Sequence, residues 1–265
     1  MDYTTHLDRF AAAIQGTDFQ SIKDASQIPP AFRLAQDGGL TSHYTPFEYI
    51  NATAKVVLVG ITPGFTQWKN AMGAAQAELA MGSKADKVLQ TAKRTGAFSG
   101  AMRPNLVGLL DRIGVHTCLG LESCDSLFSH HAHWVQSTSI LCHAIHVAGE
   151  NYSGAPNMIR QPLLQQQLLE HFAPEARALP DAVYIPLGPK VSEGLDWLAR
   201  QGVIASDRIL HGLPHPSGAN AERIAYFLGR KPAGQLSVKT NAGKLDALRE
   251  SLTAQVLALR PQLQY

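Results

Sequence analysis

The feature that most constrains the fold is an unbroken apolar run, Val56 to Val59, that stops at a tight loop. A strand with one face in water alternates apolar and polar residues, whereas a strand buried on both faces is a continuous run of Val, Ile and Leu. A second apolar run lies at 182–187 and is followed by a helical pattern. The sequence therefore predicts a mostly parallel sheet whose two faces are covered by helices.

The rest of the chain continues this alternation of strands and helices. Strands are predicted at 55–61, 135–141, 182–187 and 209–213, and helices at 7–14, 66–95, 105–113, 163–172, 191–200, 221–228 and 245–259. The expected fold is a three-layer α/β/α sandwich with a central, mainly parallel four-stranded sheet. We expect one domain over residues 1–265, with its core at about 55–230 and helical extensions at both ends.

Composition excludes several classes of protein. A hydrophobic content of 45% and a charged content of 17% are typical of a globular chain, and a net charge of +2 is too small to indicate a nucleic-acid binder by itself. The N-terminus has no basic-then-apolar signal pattern, and no apolar run approaches the roughly 20 residues of a membrane helix. We expect a cytoplasmic protein with no membrane partner and no obligate protein partner.

The first candidate site is the loop Gly60-Ile61-Thr62-Pro63-Gly64. Loops at the carboxyl ends of strands are where open α/β sheets bind ligands, and glycine lets the backbone approach a ligand closely. Taken alone, the loop is better interpreted as a simple turn between a strand and a helix. The chain has no phosphate-binding P-loop, no dinucleotide-binding glycine pattern and no nucleophile elbow.

The second candidate site is the loop from His215 to Asn220, with the sequence HPSGAN. Pro216 favours an extended backbone at His215, and Asn220 is a good residue to cap the following helix. Unpaired amides at the start of a helix suit an anion such as a phosphate. A single histidine is more often structural than catalytic, so the case for His215 depends on its pairing with the first loop.

Four segments, in order, resemble the uracil-DNA glycosylase superfamily. GITPG resembles the GINPG-type loop of its mismatch-specific and single-strand-selective branches, and HPSGAN resembles the HPS-type loop that grips the DNA backbone. The segment 96–100, with Phe98 at its centre, resembles the one whose phenylalanine stacks on the extruded base. Residues 184–188 resemble the strand before the final motif. The resemblance covers about residues 55–230.

The resemblance implies a monofunctional DNA glycosylase that uses no cofactor and no metal. Such an enzyme hydrolyses the N-glycosidic bond of a flipped-out pyrimidine, here uracil or a bulky phage-type modified base, and leaves an abasic site in DNA. The biological setting would be base-excision repair or phage defence.

The resemblance also implies roles for particular residues. Catalysis falls to Thr62, for the attacking water, and to His215, for the departing base. The base-binding residues are Gly60, Ile61, Pro63, Gly64, Phe65, Phe98, Ser139 and Asn151. The DNA-backbone residues are Ser99, Ser217, Gly218 and Asn220.

Two positions depart from the family pattern. Relatives carry Asn or Asp where this chain has Thr62, and threonine cannot act as an ionised base near neutral pH. Relatives often carry an Asn at the second strand, where this chain has Ser137-Thr138-Ser139. The long segment 66–95 also indicates an enlarged pocket, which favours a modified pyrimidine over plain uracil.

Two other functions remain open on the sequence. The first is a non-catalytic member of the same fold that binds DNA or a nucleotide. The second is a metal-dependent hydrolase built on the histidines and cysteines of 116–146. That cluster lacks the usual ligand spacings of zinc sites, and three cysteines are one short of an iron–sulfur cluster of the kind some relatives hold. Buried thiols and loop histidines are the favoured interpretation.

Overall fold

The computed structural model describes residues 4–96 and 102–263. Their contacts form two compact units that alternate along the chain. The first unit contains the described residues of 1–50, 60–97 and 137–178, and the second contains those of 51–59, 98–136 and 179–265. The single domain expected over 1–265 stays a prediction.

The first unit contains an antiparallel sheet in the order β1-β2-β5-β6. Its strands are β1 (Arg33–Asp37), β2 (Leu40–His43), β5 (Ala144–Val147) and β6 (Glu150–Asn151). A tight turn joins β1 to β2, and Gly38 in that turn has a φ of +55°, a left-handed conformation that glycine adopts at little cost. The sequence analysis did not predict this sheet.

The helices of the first unit enclose an aromatic core. They are α1 (Thr4–Gly16), α2 (Phe65–Ala80), α3 (Ala85–Gly96), α6 (Pro162–Gln167) and α7 (Ala173–Ala178), with a π-helical turn at Leu168–Phe172 between the last two. The Phe10 ring stacks on Tyr44 at 4.0 Å, and the Trp68 indole donates to the Tyr44 carbonyl at 2.8 Å. Trp68 and Tyr44 are fully buried, so this core holds α1 and α2 against β2.

The parallel sheet has the order β4-β3-β7. Its strands are β3 (Val56–Gly60), β4 (Val135–Ser139) and β7 (Val183–Pro186). Residues Val56 to Val59 pair in register with Val183 to Pro186, and both runs are buried, as their continuous apolar sequences predict.

The helices of the second unit are α4 (Met102–Arg112), α5 (Val115–Leu119), α8 (Pro189–Arg200), α9 (Ala221–Phe227) and α10 (Ala242–Leu263). Helix α10 packs against α5 and α9, with Leu252 and Val256 buried. The Cys118 thiol donates to the Val256 carbonyl at 3.3 Å. The terminal apolar stripe is therefore part of the unit's own core, as the sequence analysis predicted. No helix in 4–96 or 102–263 is long and apolar enough to cross a membrane.

The prediction of a four-stranded parallel sheet is wrong in one respect. The predicted fourth strand, 209–213, forms only an isolated parallel bridge from Ile209 to Tyr184, with the Leu210 amide donating to the Tyr184 carbonyl at 2.9 Å. Gly212 follows at a φ of +102°, a conformation that no regular strand contains. The chain therefore leaves the sheet after two residues, and the structure is a mixed α/β fold with one parallel and one antiparallel sheet.

Candidate functional site

The GITPG loop joins β3 to α2 in the first unit, where Asn151 lies against it. The Asn151 side-chain oxygen accepts a hydrogen bond from the Phe65 amide at 2.8 Å. A Cβ at Gly64 would lie 3.4 Å from the Asn151 amide nitrogen, so the backbone passes close to this side chain. The structure thus brings together Gly64, Phe65 and Asn151, which the sequence analysis assigned to base binding.

The Thr62 hydroxyl holds the same loop to β5. It donates to the His143 carbonyl at 2.9 Å and accepts from the Ile145 amide at 3.1 Å, and Thr62 is buried. A hydroxyl has one proton and two lone pairs, so a single lone pair is left for a water molecule. The catalytic role of Thr62 stays a prediction, but its contacts already give it a structural one.

Ser139 is another predicted base-binding residue of the first unit. Ser139 ends β4, and its carbonyl accepts from the Cys142 thiol at 3.4 Å. The backbone continues the sheet beyond β3 and β4, because the Ile140 amide donates to the Gly60 carbonyl at 2.9 Å and the Leu141 amide to the Ile61 carbonyl at 3.0 Å. Phe98 and Ser99 lie outside the described residues.

The HPSGAN loop belongs to the second unit, and a hydrogen bond fixes the state of its histidine. The Ser217 amide donates to His215 Nδ1 at 3.2 Å, which places the proton of the neutral ring on Nε2. Burial lowers the pKa of His215, so the imidazole is neutral near pH 7. From α4, the Asn105 side chain donates to the Pro216 carbonyl at 2.9 Å and anchors the loop.

The backbone after β7 leaves room for His215. Gly188 has a φ of +108°, which strongly favours glycine. A Cβ added to Gly188 would lie 3.7 Å from His215 Cδ2. His215 therefore lies next to the carboxyl end of β7, within the second unit.

The end of the HPSGAN loop differs from the expected helix cap. Residues Gly218–Asn220 form a short helical turn before α9, and the Asn220 side chain does not cap the helix. Its oxygen instead accepts from the Arg223 guanidinium at 3.2 Å. Asn220 occupies the N-cap position of α9, as predicted, but its side chain makes no capping hydrogen bond and accepts from Arg223 instead. Contacts of Ser217, Gly218 and Asn220 with DNA phosphates stay predictions.

The first unit contains a cavity of about 240 Å³ that was not predicted from the sequence. Its lining includes His6, Phe47, Glu48, Cys142, His143 and Glu175. Both carboxyl oxygens of Glu48 are buried and make no hydrogen bond of good geometry among the residues described, although the Tyr44 hydroxyl lies close enough to oppose the rise in the carboxyl pKa. Burial raises the pKa of Glu48 to about 7, despite the opposing influence of Lys93.

A buried ion pair lies beside this cavity. The Lys93 ammonium donates to Glu175 Oε1 at 3.2 Å and to the Tyr49 carbonyl at 2.8 Å. The other oxygen of Glu175 accepts from the Thr138 hydroxyl at 3.0 Å. Exposed fractions of only 5% and 6% for the two charged side chains show that this pair is held away from solvent.

Neutral histidines form another part of the cavity wall. The His143 and His171 rings meet edge to face at 4.4 Å. Burial holds the pKa of His143 well below its ordinary value and lowers that of His171 to about 4. Nδ1 of His143 is 3.2 Å from both backbone polar atoms of Thr45, whereas Nε2 is buried with no partner among the residues described.

The histidines and cysteines of 116–146 do not gather into one site. Cys118 and Cys124 lie in the second unit, Cys142 lies in the first, and all three are free, buried thiols. Burial raises the pKa of Cys124 and of Cys142. Within 4–96 and 102–263, no group of three or more His, Cys, Asp or Glu side chains could hold a metal ion. The metal-hydrolase alternative therefore lacks a ligand set in the described part of the chain.

One signal in the sequence could have indicated the cavity. Glu48 stands within Pro46-Phe47-Glu48-Tyr49-Ile50, where a charged residue interrupts an apolar and aromatic stretch. A charged residue in such a setting is buried only at a cost, so it is a candidate for function. Lys93 and Glu175 carry no comparable signal, because both occur in ordinary amphipathic helical sequence.

The fold and its loops define a mixed α/β protein with a short parallel sheet and candidate ligand loops after β3 and β7. The chain is 32% identical over 229 residues to a protein of Bacillus subtilis (strain 168) that bears the description uncharacterized protein YoxB. The aligned region covers 85% of this chain and 90% of that relative, and the chain belongs to the same family. No protein-family model matches the chain, and no solved structure matches it.

Proposed function

We propose that this protein is a monofunctional DNA glycosylase that hydrolyses the N-glycosidic bond of a flipped-out pyrimidine. The observation that carries the proposal is the state of His215. Its Nδ1 accepts from the Ser217 amide, so a neutral ring presents Nε2–H as its remaining donor. A fixed donor of this kind stabilises negative charge that grows on a departing base, and removal of one such donor typically slows a reaction by about 100- to 1000-fold.

The sheet topology supports the same location for the reaction. β3 lies between β4 and β7, so the chain extends the sheet to one side after β3 and to the other side with β7. Ligands of open α/β sheets bind at the carboxyl ends of strands where the order reverses in this way. His215 lies beside Gly188, directly after β7, and its position near that edge of the sheet supports the proposal. A full three-layer sandwich and a DNA partner are parts of the proposal.

The contacts of Thr62 limit how its hydroxyl can act on the attacking water. With its proton committed to the His143 carbonyl, the hydroxyl can orient water through one lone pair but cannot deprotonate it. The reaction therefore depends chiefly on leaving-group stabilisation by His215. Slow turnover relative to enzymes with a carboxylate at this position is the expected consequence.

The test is direct detection of released bases. The purified full chain is incubated with single- and double-stranded oligonucleotides, each containing one uracil or one modified pyrimidine, and with phage DNAs. Free bases are identified by mass spectrometry, and abasic sites by alkaline strand cleavage. We expect at least one pyrimidine to be released. Binding to DNA without release of any base would instead support the non-catalytic alternative.

The variant His215→Ala tests the residue that carries the proposal. We expect a single-turnover rate at least about 100-fold lower, because the Nε2 donor is lost. The matched control is His211→Ala, since His211 is a partly exposed histidine of the same unit that pairs with Asp196 at 3.2 Å. Unchanged activity in His215→Ala, with a folded circular dichroism spectrum, would contradict the assignment.

A further inference from the structure

The proposed function makes no use of the cavity of the first unit, whose mostly apolar wall contains a buried carboxyl group. Its volume of about 240 Å³ exceeds the roughly 150 Å³ of an engineered cavity that binds benzene. A six-membered ring with substituents therefore fits within it. The cavity wall is also bonded to the GITPG loop, because the Thr62 hydroxyl donates to the carbonyl of His143.

The wall contains a carboxyl group whose hydrogen-bonding capacity the protein leaves largely unused. Both Glu48 oxygens are buried in the cavity wall and make no hydrogen bond of good geometry among the residues described, with the Tyr44 hydroxyl as the one polar side chain that acts on them at close range. A buried polar group without hydrogen bonds is destabilising, and more so when it is charged. A ligand that supplies the missing hydrogen bonds would relieve this cost, so the cavity favours molecules that carry N–H donors.

The remaining charges of the wall disfavour an anion. Glu170 and Glu175 also line the cavity, and the Lys93 ammonium beside it is already bound by Glu175 and by the Tyr49 carbonyl. Burial keeps the His143 imidazole uncharged at neutral pH. Neither Lys93 nor His143 therefore offers a free positive charge to a phosphate or a carboxylate.

The shape of the wall favours a flat ring. The Phe47 side chain and the two edge-to-face imidazoles of His143 and His171 surround the space. Gly96 keeps Phe47 in place, since a Cβ at that position would overlap the Phe47 ring. Aromatic walls bind planar heterocycles through stacked and edge-to-face contacts.

We propose that this cavity binds a nucleobase with an amidine-type edge, a ring nitrogen next to an exocyclic amine as in cytosine, and that Glu48 reads that edge. The identification of the ligand as a base rests on the proposed function. It extends that function by naming an amino-substituted pyrimidine class as the preferred substrate.

The preference follows from the hydrogen-bonding capacity of a carboxyl group. A neutral carboxylic acid donates its O–H to the ring nitrogen and accepts from the amine, and a carboxylate accepts two N–H bonds from the protonated ring. The amidine edge therefore satisfies Glu48 in either protonation state. The edge of uracil, one N–H and one carbonyl, satisfies only the neutral acid.

The experiment is isothermal titration of the full chain at pH 7 with free cytosine, free uracil and inorganic phosphate. We expect cytosine to bind about tenfold more tightly than uracil and phosphate to give no binding. Equal or tighter binding of uracil, measurable binding of phosphate, or no binding of cytosine would each overturn the proposal.

Two substitutions test Glu48 itself. Glu48→Gln replaces the carboxyl with an amide that complements both edges equally, so the cytosine-to-uracil ratio should fall towards 1 while binding persists. Glu48→Leu should weaken cytosine binding at least tenfold, and thermal unfolding verifies that both variants fold. The matched control Glu150→Gln changes an exposed carboxylate of the same unit that does not line the cavity and should bind as the wild type does. Full binding by a folded Glu48→Leu variant would contradict the role of Glu48.

These results separate this proposal from the proposed function. Cytosine binding without release of any base would support the cavity assignment and contradict the glycosylase. Base release by a protein that does not bind cytosine would support the glycosylase and contradict the cavity assignment.

Discussion

Two glutamates, one in each unit, respond to their surroundings in opposite ways. The carboxyl oxygens of Glu48 are buried with no hydrogen bond of good geometry among the residues described, and desolvation raises the pKa of Glu48 to about 7. Glu222 accepts from the Lys231 ammonium at 2.8 Å and from the hydroxyls of Ser237 and Thr240 at 2.6 Å each, and these bonds, that of Lys231 first, lower its pKa. Two opposing effects decide the charge of a carboxyl group: hydrogen-bond donors stabilise the carboxylate, and the loss of hydrating water destabilises it.

The lysines show the same contrast. The Lys93–Glu175 pair has exposed fractions of 5% and 6%, whereas the Lys231–Glu222 pair has 30% and 26%. Buried pairs lose much when one partner is removed, because the remaining charge has lost its compensation, and solvent-exposed pairs lose little. The first unit therefore depends on its polar interior, while the second unit uses its polar network to tie down surface segments.

The strongest test of this contrast is Lys93→Met. Removal of the ammonium leaves the Glu175 carboxylate in the interior with no compensating charge, so we expect unfolding free energy to fall by about 3–5 kcal/mol. Urea unfolding measures the loss. The matched control is Lys231→Met in the exposed network, and the double variant Lys93→Met/Glu175→Leu should recover much of the stability. A loss of unfolding free energy below about 1 kcal/mol for Lys93→Met would show that the buried pair matters no more for stability than the Lys231–Glu222 pair.

The next largest effect concerns the pH dependence contributed by Glu48. Its pKa is about 7 in the folded state and 4.5 when unperturbed, so its contribution to stability declines as pH rises from about 4.5 to about 7. This shift corresponds to about 3 kcal/mol. Glu48→Gln removes the titratable group. The free energy of unfolding of the variant, relative to that of the wild type, should therefore increase by about 3 kcal/mol as pH rises from about 4.5 to about 7.

The measurement is urea unfolding of both proteins at several pH values between 4.5 and 8. The buried histidines act in the opposite sense, because His43, His146 and His171 have pKa values lowered to about 4 and lose stability as pH falls below 6.5. Their contributions are common to both proteins and cancel in the difference. A difference that does not change with pH would show that Glu48 is not held in a desolvated state.

A smaller effect is expected at Thr62. Thr62→Val keeps the shape of the side chain but leaves the Ile145 amide and the His143 carbonyl without their bonds to the hydroxyl, at a cost of about 1–3 kcal/mol. Thr62→Ser retains the hydroxyl and is the control, with a smaller loss. Equal stability of Thr62→Val and wild type would show that the hydroxyl is free for another role.

The smallest effect is expected at Glu222. Glu222→Gln should change global stability less than any of the preceding substitutions, because solvent replaces much of what the carboxylate provides. Its consequence is local, since Glu222 Oε1 also accepts from the Ser237 amide at 3.1 Å. Hydrogen exchange at Ser237 should become faster while the rest of the second unit is unchanged. A loss of unfolding free energy comparable to that of Lys93→Met would show that the two networks contribute equally to global stability.

Much of the fold could be predicted from local apolar patterns. The continuous runs gave β3 and β7, and helical spacing gave α4, α8 and α10, since these elements bury a face that the sequence displays directly. The antiparallel sheet was missed because β1 and β2 are short and mix polar with apolar residues. The Asp37-Gly38-Gly39 turn between them was the available signal.

The candidate site was predictable only where residues adjacent in sequence act together. The two loops were found because glycine, proline and histidine stand within a few positions of one another. The cavity was missed because Glu48, Lys93 and Glu175 come from three distant segments, and only tertiary packing brings them close. The loss of the fourth strand after Leu210 has a similar cause, since the chain turns at Gly212 where α10 passes near, with Leu248 against that glycine.

The alternation of the two units along the chain has a consequence for biosynthesis. The first unit lacks its last segment until residue 178 has emerged from the ribosome, and β3, made at residues 56–60, gains its neighbours β4 and β7 only at 135–139 and 183–186. Pairing over such sequence distances is slow, because the chain loses the entropy of closing the intervening loop before any stabilising contact forms. Nascent chains therefore spend much of their synthesis with a bare, apolar β3, and chaperone demand during translation should be high.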